Sequence, residues 1–403
     1  MESAKTIVAA TLAAAAVLAC DKSPVERNGD PQLTLSPDSV VVGVYESSPL
    51  TATVRDASGA IPYVSLRYVS RDESVATVNA DGEISAMAVG STHVVAALPD
   101  RPDVRDSVRV RVYSDSCGGA RPDFGGVATA GDRDLFRYDV DAPLDLRETV
   151  ESTNNGVKVS SISFNSPDGG LVTGMMWDPV TRSSPRPGMV LMHGMPGKAR
   201  DMSGIAQSYA RYGAVVIAID APFARRAGPV VKFTTEDRAE QIQLIKDLQR
   251  AVDVLRSRPN VDDGRIAYVG VSYGGAMGAL FVGIERRLEA AALVVGHGGL
   301  VSHSTGPEGF KYISGLPCAM RSAWIRAMAP IEPIRFVGHA NVPLLLQNGT
   351  LDDLIPSADA AELHAAAPQP RTARWYTAGH NLNQQAVDDR HDWLVDKVGI
   401  DPM

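Results

Sequence analysis

GVSYGG, residues 270–275, is the stretch on which the fold turns. It ends one apolar run, RIAYVGVS (265–272), and opens another, GAMGALFVGIE (275–285). The first has the character of a buried strand and the second that of a buried helix. Ser272 lies at the junction, with Gly270 and Gly274 on either side, in the pattern G-x-S-x-G. A sharp strand-to-helix turn of this kind lifts a hydroxyl above a sheet. Small neighbours are needed because the flanking backbone passes close by, and the helix N-terminus aims amide hydrogens at the same place. Five residues alone fit equally well a serine that caps a helix after a buried strand.

A serine hydroxyl needs a base to act as a nucleophile, and the base needs an orienting acid. Downstream, NGTLDDLIP (348–356) places Asp352 and Asp353 in a loop after the apolar run VPLLLQNG (342–349). TAGHNL (377–382) places His380 after the short run RTARWYT (371–377). Taken singly, either aspartate also reads as a turn residue and His380 as a surface histidine near a helix start. In the order Ser272, Asp352, His380, together with HGMPG (193–197) after the run GMVLMHG (188–194), residues 157 to 398 resemble the α/β-hydrolases. The resemblance implies Asp352 rather than Asp353 as the acid, because the pattern sets it three residues after Gly349. It implies a structural role for His193 and Gly194 and an oxyanion hole made by the amides of Met195 and Tyr273. It implies a structural role for Asp220 as well.

The approach to HGMPG resembles the dienelactone-hydrolase and acetyl-xylan-esterase-like branch, which implies small esters as substrates. Dienelactone hydrolases use a cysteine nucleophile, so Ser272 favours esters over dienelactones. The expected reaction is two-step acyl transfer, with His380 as general base and then general acid. A serine peptidase of the prolyl-oligopeptidase type is the second enzyme reading, and a non-catalytic surface-binding protein is the third. The segment 298–336 is expected to contribute to a cap. His297 and His303 are expected to line the pocket, and His339, His364 and His391 to be surface or packing residues. Arg225 and Arg226 read as a solvated loop pair rather than a carboxylate clamp.

The rest of the chain divides by pattern. From Gln32 to Tyr113 short period-2 runs such as LTATVRD and SVRVRVY alternate with turns at DASG (56–59) and NADG (79–82), which predicts a β-sandwich. SRDESVATVNADGEISAMAVGSTHVVA (70–96) resembles a bacterial Ig-like domain of group 2, implying a spacer or surface-binding module. A polar tether (21–31) precedes it, and a Gly-, Asp- and Arg-rich linker (114–150), expected to pack on the next domain, leads to the hydrolase domain (151–403). There VKVSSISF and LVTGMMW read as an antiparallel pair. The later runs alternate with helices, predicting a mostly parallel sheet covered on both faces. The clearest helix spans 236–258, with Ile242, Ile245, Leu248, Val252 and Leu255 on one face. Thr234 and Asp237 mark its start and Pro259 its stop.

The N-terminal run 7–19 is too short to span a bilayer and has the length of a signal peptide. Val17-Leu18-Ala19-Cys20 resembles a lipobox, implying lipidation of Cys20 and an envelope location; a plain secretory signal is the other reading. Cys117 and Cys318 then remain, either paired or as two thiols. The 403 residues suit two or three domains. With 39 basic against 47 acidic residues, the net charge of −8 argues against nucleic acid as a partner. No metal-site or nucleotide-loop spacing is present, so no cofactor is expected. The expected partner is a small-molecule ester or an acylated polysaccharide.

Overall fold

The computed structural model describes residues 30–44, 46–57, 59–61, 64–113, 122, 124, 126–180, 185–305, 313 and 315–403. Cys20 and Cys117 lie outside these residues. Cys318 is disulfide-bonded.

Residues 32–113 form short strands in three small sheets. Gln32–Ser36 pairs antiparallel with Thr51–Asp56. Arg101–Tyr113 lies between Ser39–Gly43 and Gly90–Leu98. Alternate side chains point inward, as the period-2 pattern requires, and Val40, Val42, Val54, Ile84, Val94 and Val110 build a separate aliphatic core.

The second region is a nine-stranded sheet. Its strands are β1 Arg147–Asn154, β2 Val157–Asn165, β3 Leu171–Pro179, β4 Arg186–Met192, β5 Val215–Ile219, β6 Val261–Val271, β7 Ala290–Val294, β8 Leu344–Gly349 and β9 Arg371–Tyr376. Their order is β1-β2-β3-β5-β4-β6-β7-β8-β9. The first three are antiparallel, and β3 meets β5 antiparallel. All pairs from β5 to β9 are parallel. The central strands are buried on both faces, which explains their unbroken apolar runs.

The principal helices are α1 Ser203–Arg211, α2 Glu236–Arg256, α3 Tyr273–Ile284, α4 Leu300–Ser304, α5 Cys318–Met328, α6 Ser357–Ala366 and α7 Gln384–Val398. They form two apolar layers: α2 and α3 pack on one face of the sheet, α1 and α7 on the other. The start of α2 is held from both sides. Thr234 Oγ1 accepts from the Glu236 amide, and the Asp237 carboxylate accepts from the amides of Lys232, Phe233 and Thr234.

The linker reading of 114–150 needs correction at its far end. Strand β1 starts at Arg147, so the 150/151 boundary cuts through it. Phe136 is buried in the hydrolase core, edge-on to Phe336 at 5.5 Å. The Arg250 guanidinium binds the carbonyl of Ala142 at 2.7 Å. This segment is polar in composition but docks through a few apolar side chains. The two regions also meet at an ion pair between Glu46 and Arg326 of 2.5 Å.

Candidate active site

The strand–turn–helix at Ser272 is built by backbone crowding. Ser272 has φ 57° and ψ −114°, a conformation that an L side chain seldom adopts. Its amide donates to the Val294 carbonyl at 2.8 Å, tying the turn to β7. A Cβ on Gly274 would lie 2.2 Å from the Met192 carbonyl oxygen, and one on Gly270 would lie 2.1 Å from the Gly274 oxygen. Neither position has room for a side chain. Tyr268, four residues before the serine on β6, donates its hydroxyl to the Gly274 carbonyl at 2.6 Å. Its burial pushes the phenol well above the usual range, so it stays a donor. The sequence reading missed this brace; a tyrosine in an otherwise aliphatic strand was the available signal.

Ser272, His380 and Asp352 come together although 108 and 28 residues separate the successive pairs. His380 Nε2 stands 3.0 Å from Ser272 Oγ, and His380 Nδ1 stands 2.8 Å from Asp352 Oδ2. With Nδ1–H donating to the carboxylate, Nε2 is left to accept from the serine. Asp352 is placed by its own loop after β8: its Oδ1 accepts from the amides of Leu354 and Ile355, both at 2.9 Å. Its side chain is buried, whereas Asp353 is exposed. The Leu351 amide bonds the Ala378 carbonyl at 3.0 Å, coupling the loop of the acid to that of the histidine.

His193 holds the loop after β4. Its Nδ1 meets the Gly194 carbonyl at 2.8 Å, and its Nε2 accepts from the Ala221 amide at 3.1 Å. Burial pushes this imidazole down, which keeps it neutral. Asp220 accepts from the Ala199 amide and from Thr173 Oγ1, at 2.8 and 2.6 Å. Together they set the path of 193–199. Gly194 packs against the serine, since a Cβ there would lie 3.1 Å from Ser272 Cβ. Met195 and Tyr273 line one small slot.

Arg225 and Arg226 are not a solvated pair. Arg225 bonds the buried Asp247 at 2.5 Å, and Arg226 makes two bonds to Glu240. Their acidic partners, Glu240 and Asp247, lie on α2 about two turns apart, so the loop reading could not find them. His297 is buried, with Nδ1 at 3.0 Å from the Gly299 carbonyl. Burial and its neighbours His303 and His380 push it down to about 3. His303 stacks on it and pairs with Asp359 at 2.8 Å. His364 is buried against Asn348 Oδ1 and His391 is buried beside Tyr212, both packing residues; His339 bonds the Ala128 carbonyl.

The segment 298–336 is docked rather than loose at its described ends. The Glu332 carboxylate caps α4 through the amides of Val301 and Ser302, both at 3.0 Å. Trp324 of α5 donates to Asp237 at 2.8 Å and meets Phe233 edge-on. Among the described residues no group of three or more His, Cys, Asp or Glu could hold a metal ion, and no helix is long and apolar enough to cross a membrane.

The largely parallel sheet, with a serine at its strand-to-helix turn, has the α/β-hydrolase fold, and an Ig-like β-region precedes it. Residues 31–108 match the bacterial Ig-like domain (group 2), and residues 201–389 match the prolyl oligopeptidase family, ranked second on sequence grounds. Among solved structures the chain is similar to an acetyl xylan esterase from Paenibacillus sp. R4, at 18% identity and TM-score 0.56, covering 69% of this chain and 97% of that one. It is also similar to acetyl xylan esterase 1 from Thermoanaerobacterium sp. JW/SL YS485, at 11% identity and TM-score 0.54, covering 67% and 95%. These likenesses concern the fold. Among curated proteins, an uncharacterized peptidase of Bacillus subtilis (strain 168) is 28% identical over 149 residues, 34% of this chain and 22% of that protein. An uncharacterized protein of Escherichia coli O157:H7 is 28% identical over 151 residues, 38% and 49%. The matches thus span about a fifth and about half of those relatives.

Proposed function

We propose that this protein is a serine hydrolase that cleaves carboxylic esters of small or medium size through an acyl-enzyme. The observation that carries the reading is the relay Asp352–His380–Ser272, with contacts of 2.8 and 3.0 Å. His380 Nε2 takes the hydroxyl proton as Ser272 Oγ attacks the ester carbonyl. The amides of Met195 and Tyr273 receive the oxyanion, a stabilisation of about 2.7–4 kcal/mol per donor. His380 then protonates the leaving alcohol, and water releases the acid by the same steps in reverse. Asp352 holds the imidazole tautomer and stabilises its charged form. The test is hydrolysis of p-nitrophenyl esters from acetate to palmitate. Turnover of short esters is expected in the parent and not in Ser272→Ala; equal turnover in both would reject the mechanism.

One finding favours a second reading, a serine peptidase: the match of 201–389 to the prolyl oligopeptidase family. Aminoacyl and dipeptidyl p-nitroanilides assayed beside the esters separate the two. The narrow slot beside Met195 and Tyr273 supports esters with small acyl groups. At the envelope, Cys20 would carry the lipid anchor and the Ig-like domain would act as a spacer or hold an acylated polysaccharide. Metabolic labelling with palmitate that is lost in Cys20→Ala tests the anchor.

A further inference from the structure

The slot that includes Met195 and Tyr273 is lined by apolar Phe223, Val231 and Leu300 and by the amide side chain of Gln241. Gln241 sits in the second turn of α2 and is 2% exposed. Neither Gln241 Oε1 nor Nε2 has a hydrogen-bond partner among the described residues. The two carboxylates of the slot are engaged: Asp237 by three amides and Trp324, Glu240 by Arg226 and Lys232. A buried amide with both ends unmet is costly, and such a group calls for a ligand that both donates and accepts. Free space within the slot is about 10 Å³, no more than one water's worth.

We propose that this slot receives the hydroxyl of a hydroxyacyl group and that Gln241 hydrogen-bonds it, so that the site takes short hydroxyacyl esters, such as glycolyl, in preference to plain alkanoyl esters. The inference rests on the serine-hydrolase reading and names its acyl group. A hydroxyl fits because it donates its hydrogen to Oε1 and accepts from Nε2. It is also the size of a methyl group, so a glycolyl ester presents a hydroxyl where a propionyl ester presents a methyl. A methyl group there would leave both Gln241 atoms unmet beside an apolar surface. A site whose buried amide is left unpaired by the methyl analogue discriminates against that analogue.

The experiment is kcat/KM for methyl glycolate against methyl propionate, each divided by the ester's alkaline hydrolysis rate, in the parent and in Gln241→Met, with p-nitrophenyl acetate turnover in the same samples. A glycolate preference of roughly tenfold or more is expected in the parent. The ratio should fall to about one or below in Gln241→Met. A parent that turns over acetate without preferring glycolate would overturn this inference alone, and needs no variant. A preference that persists in Gln241→Met would overturn it too, assigning selectivity elsewhere. No turnover of any ester would overturn this inference and the esterase reading together.

Discussion

The two regions of this chain solve burial differently. Among the described residues of the Ig-like domain, the buried polar side chains are Ser70 and Thr92, and the core is Val, Leu, Ile and Ala. The hydrolase region buries Asp237, Asp247, Asp352, Asp359, Glu285 and Glu332, together with arginines and histidines. Burying a charge costs far more than burying a methyl group unless it is paired. Every one of those carboxylates has a partner: three amides and Trp324 for Asp237, an amide pair for Glu332, Arg225 for Asp247, Arg287 for Glu285, His303 for Asp359 and His380 for Asp352. The lesson is that a buried carboxylate does not mark the reacting centre by itself. Most of them tie loops and helices in place. Asp352 differs because its histidine has its second nitrogen on a serine held at an unusual φ.

That contrast can be broken by experiment, starting with the largest effect. Asp352→Asn keeps the shape and removes the charge that selects the His380 tautomer. A loss of about 10⁴ in kcat is expected, with an unchanged melting temperature. A loss of stability instead would class Asp352 with the structural carboxylates.

Ile84→Ala opens a hole in the Ig-like core, where Ile84 is fully buried. A cost of about 2–5 kcal/mol is expected in denaturant unfolding of that domain. Ester turnover should stay at the parent level while the domain is folded. A fall in kcat at that stage would mean that the two regions work as one unit.

Glu148→Gln tests the structural charges. Burial alone would raise the Glu148 carboxyl, but hydrogen bonds from Lys158, Arg258 and Ser160 outweigh it and hold it at about 2. A depressed acid stabilises the fold above its unfolded value and loses that contribution as pH falls through the folded one. The variant is therefore expected to be less stable than the parent by about 2 kcal/mol near pH 7. The gap should shrink below pH 4.5 and close near 2. A gap constant across that window would show that shape rather than charge holds β1.

Much of this organisation was legible in sequence because its causes are local. The period-2 runs of 32–113, the apolar spacing along α2 and the glycines around Ser272 each follow from neighbours a few residues apart. The loop of Asp352 was readable for the same reason, since its bonds go two and three residues onward. The missing parts depend on distant partners. Phe136 docks on Phe336, Trp324 on Asp237 and Tyr138 on Asp253, and no local pattern records such pairs. Composition suggested a linker packed on the next domain but set its end at 150, past the start of β1 at Arg147, because glycine and charge dilute the few side chains that dock.

By itself, the sequence determined the element types, the elbow and the chain order of Ser272, Asp352 and His380. Those are consequences of backbone sterics and side-chain periodicity, which act over a turn or a strand. Only the tertiary structure decided that His380 meets Ser272, that Arg225 is bound to Asp247 and that Gln241 faces the slot with both amide atoms unmet. Each depends on where two segments far apart in the chain come to rest, and that is set by packing across the whole sheet rather than by any single stretch.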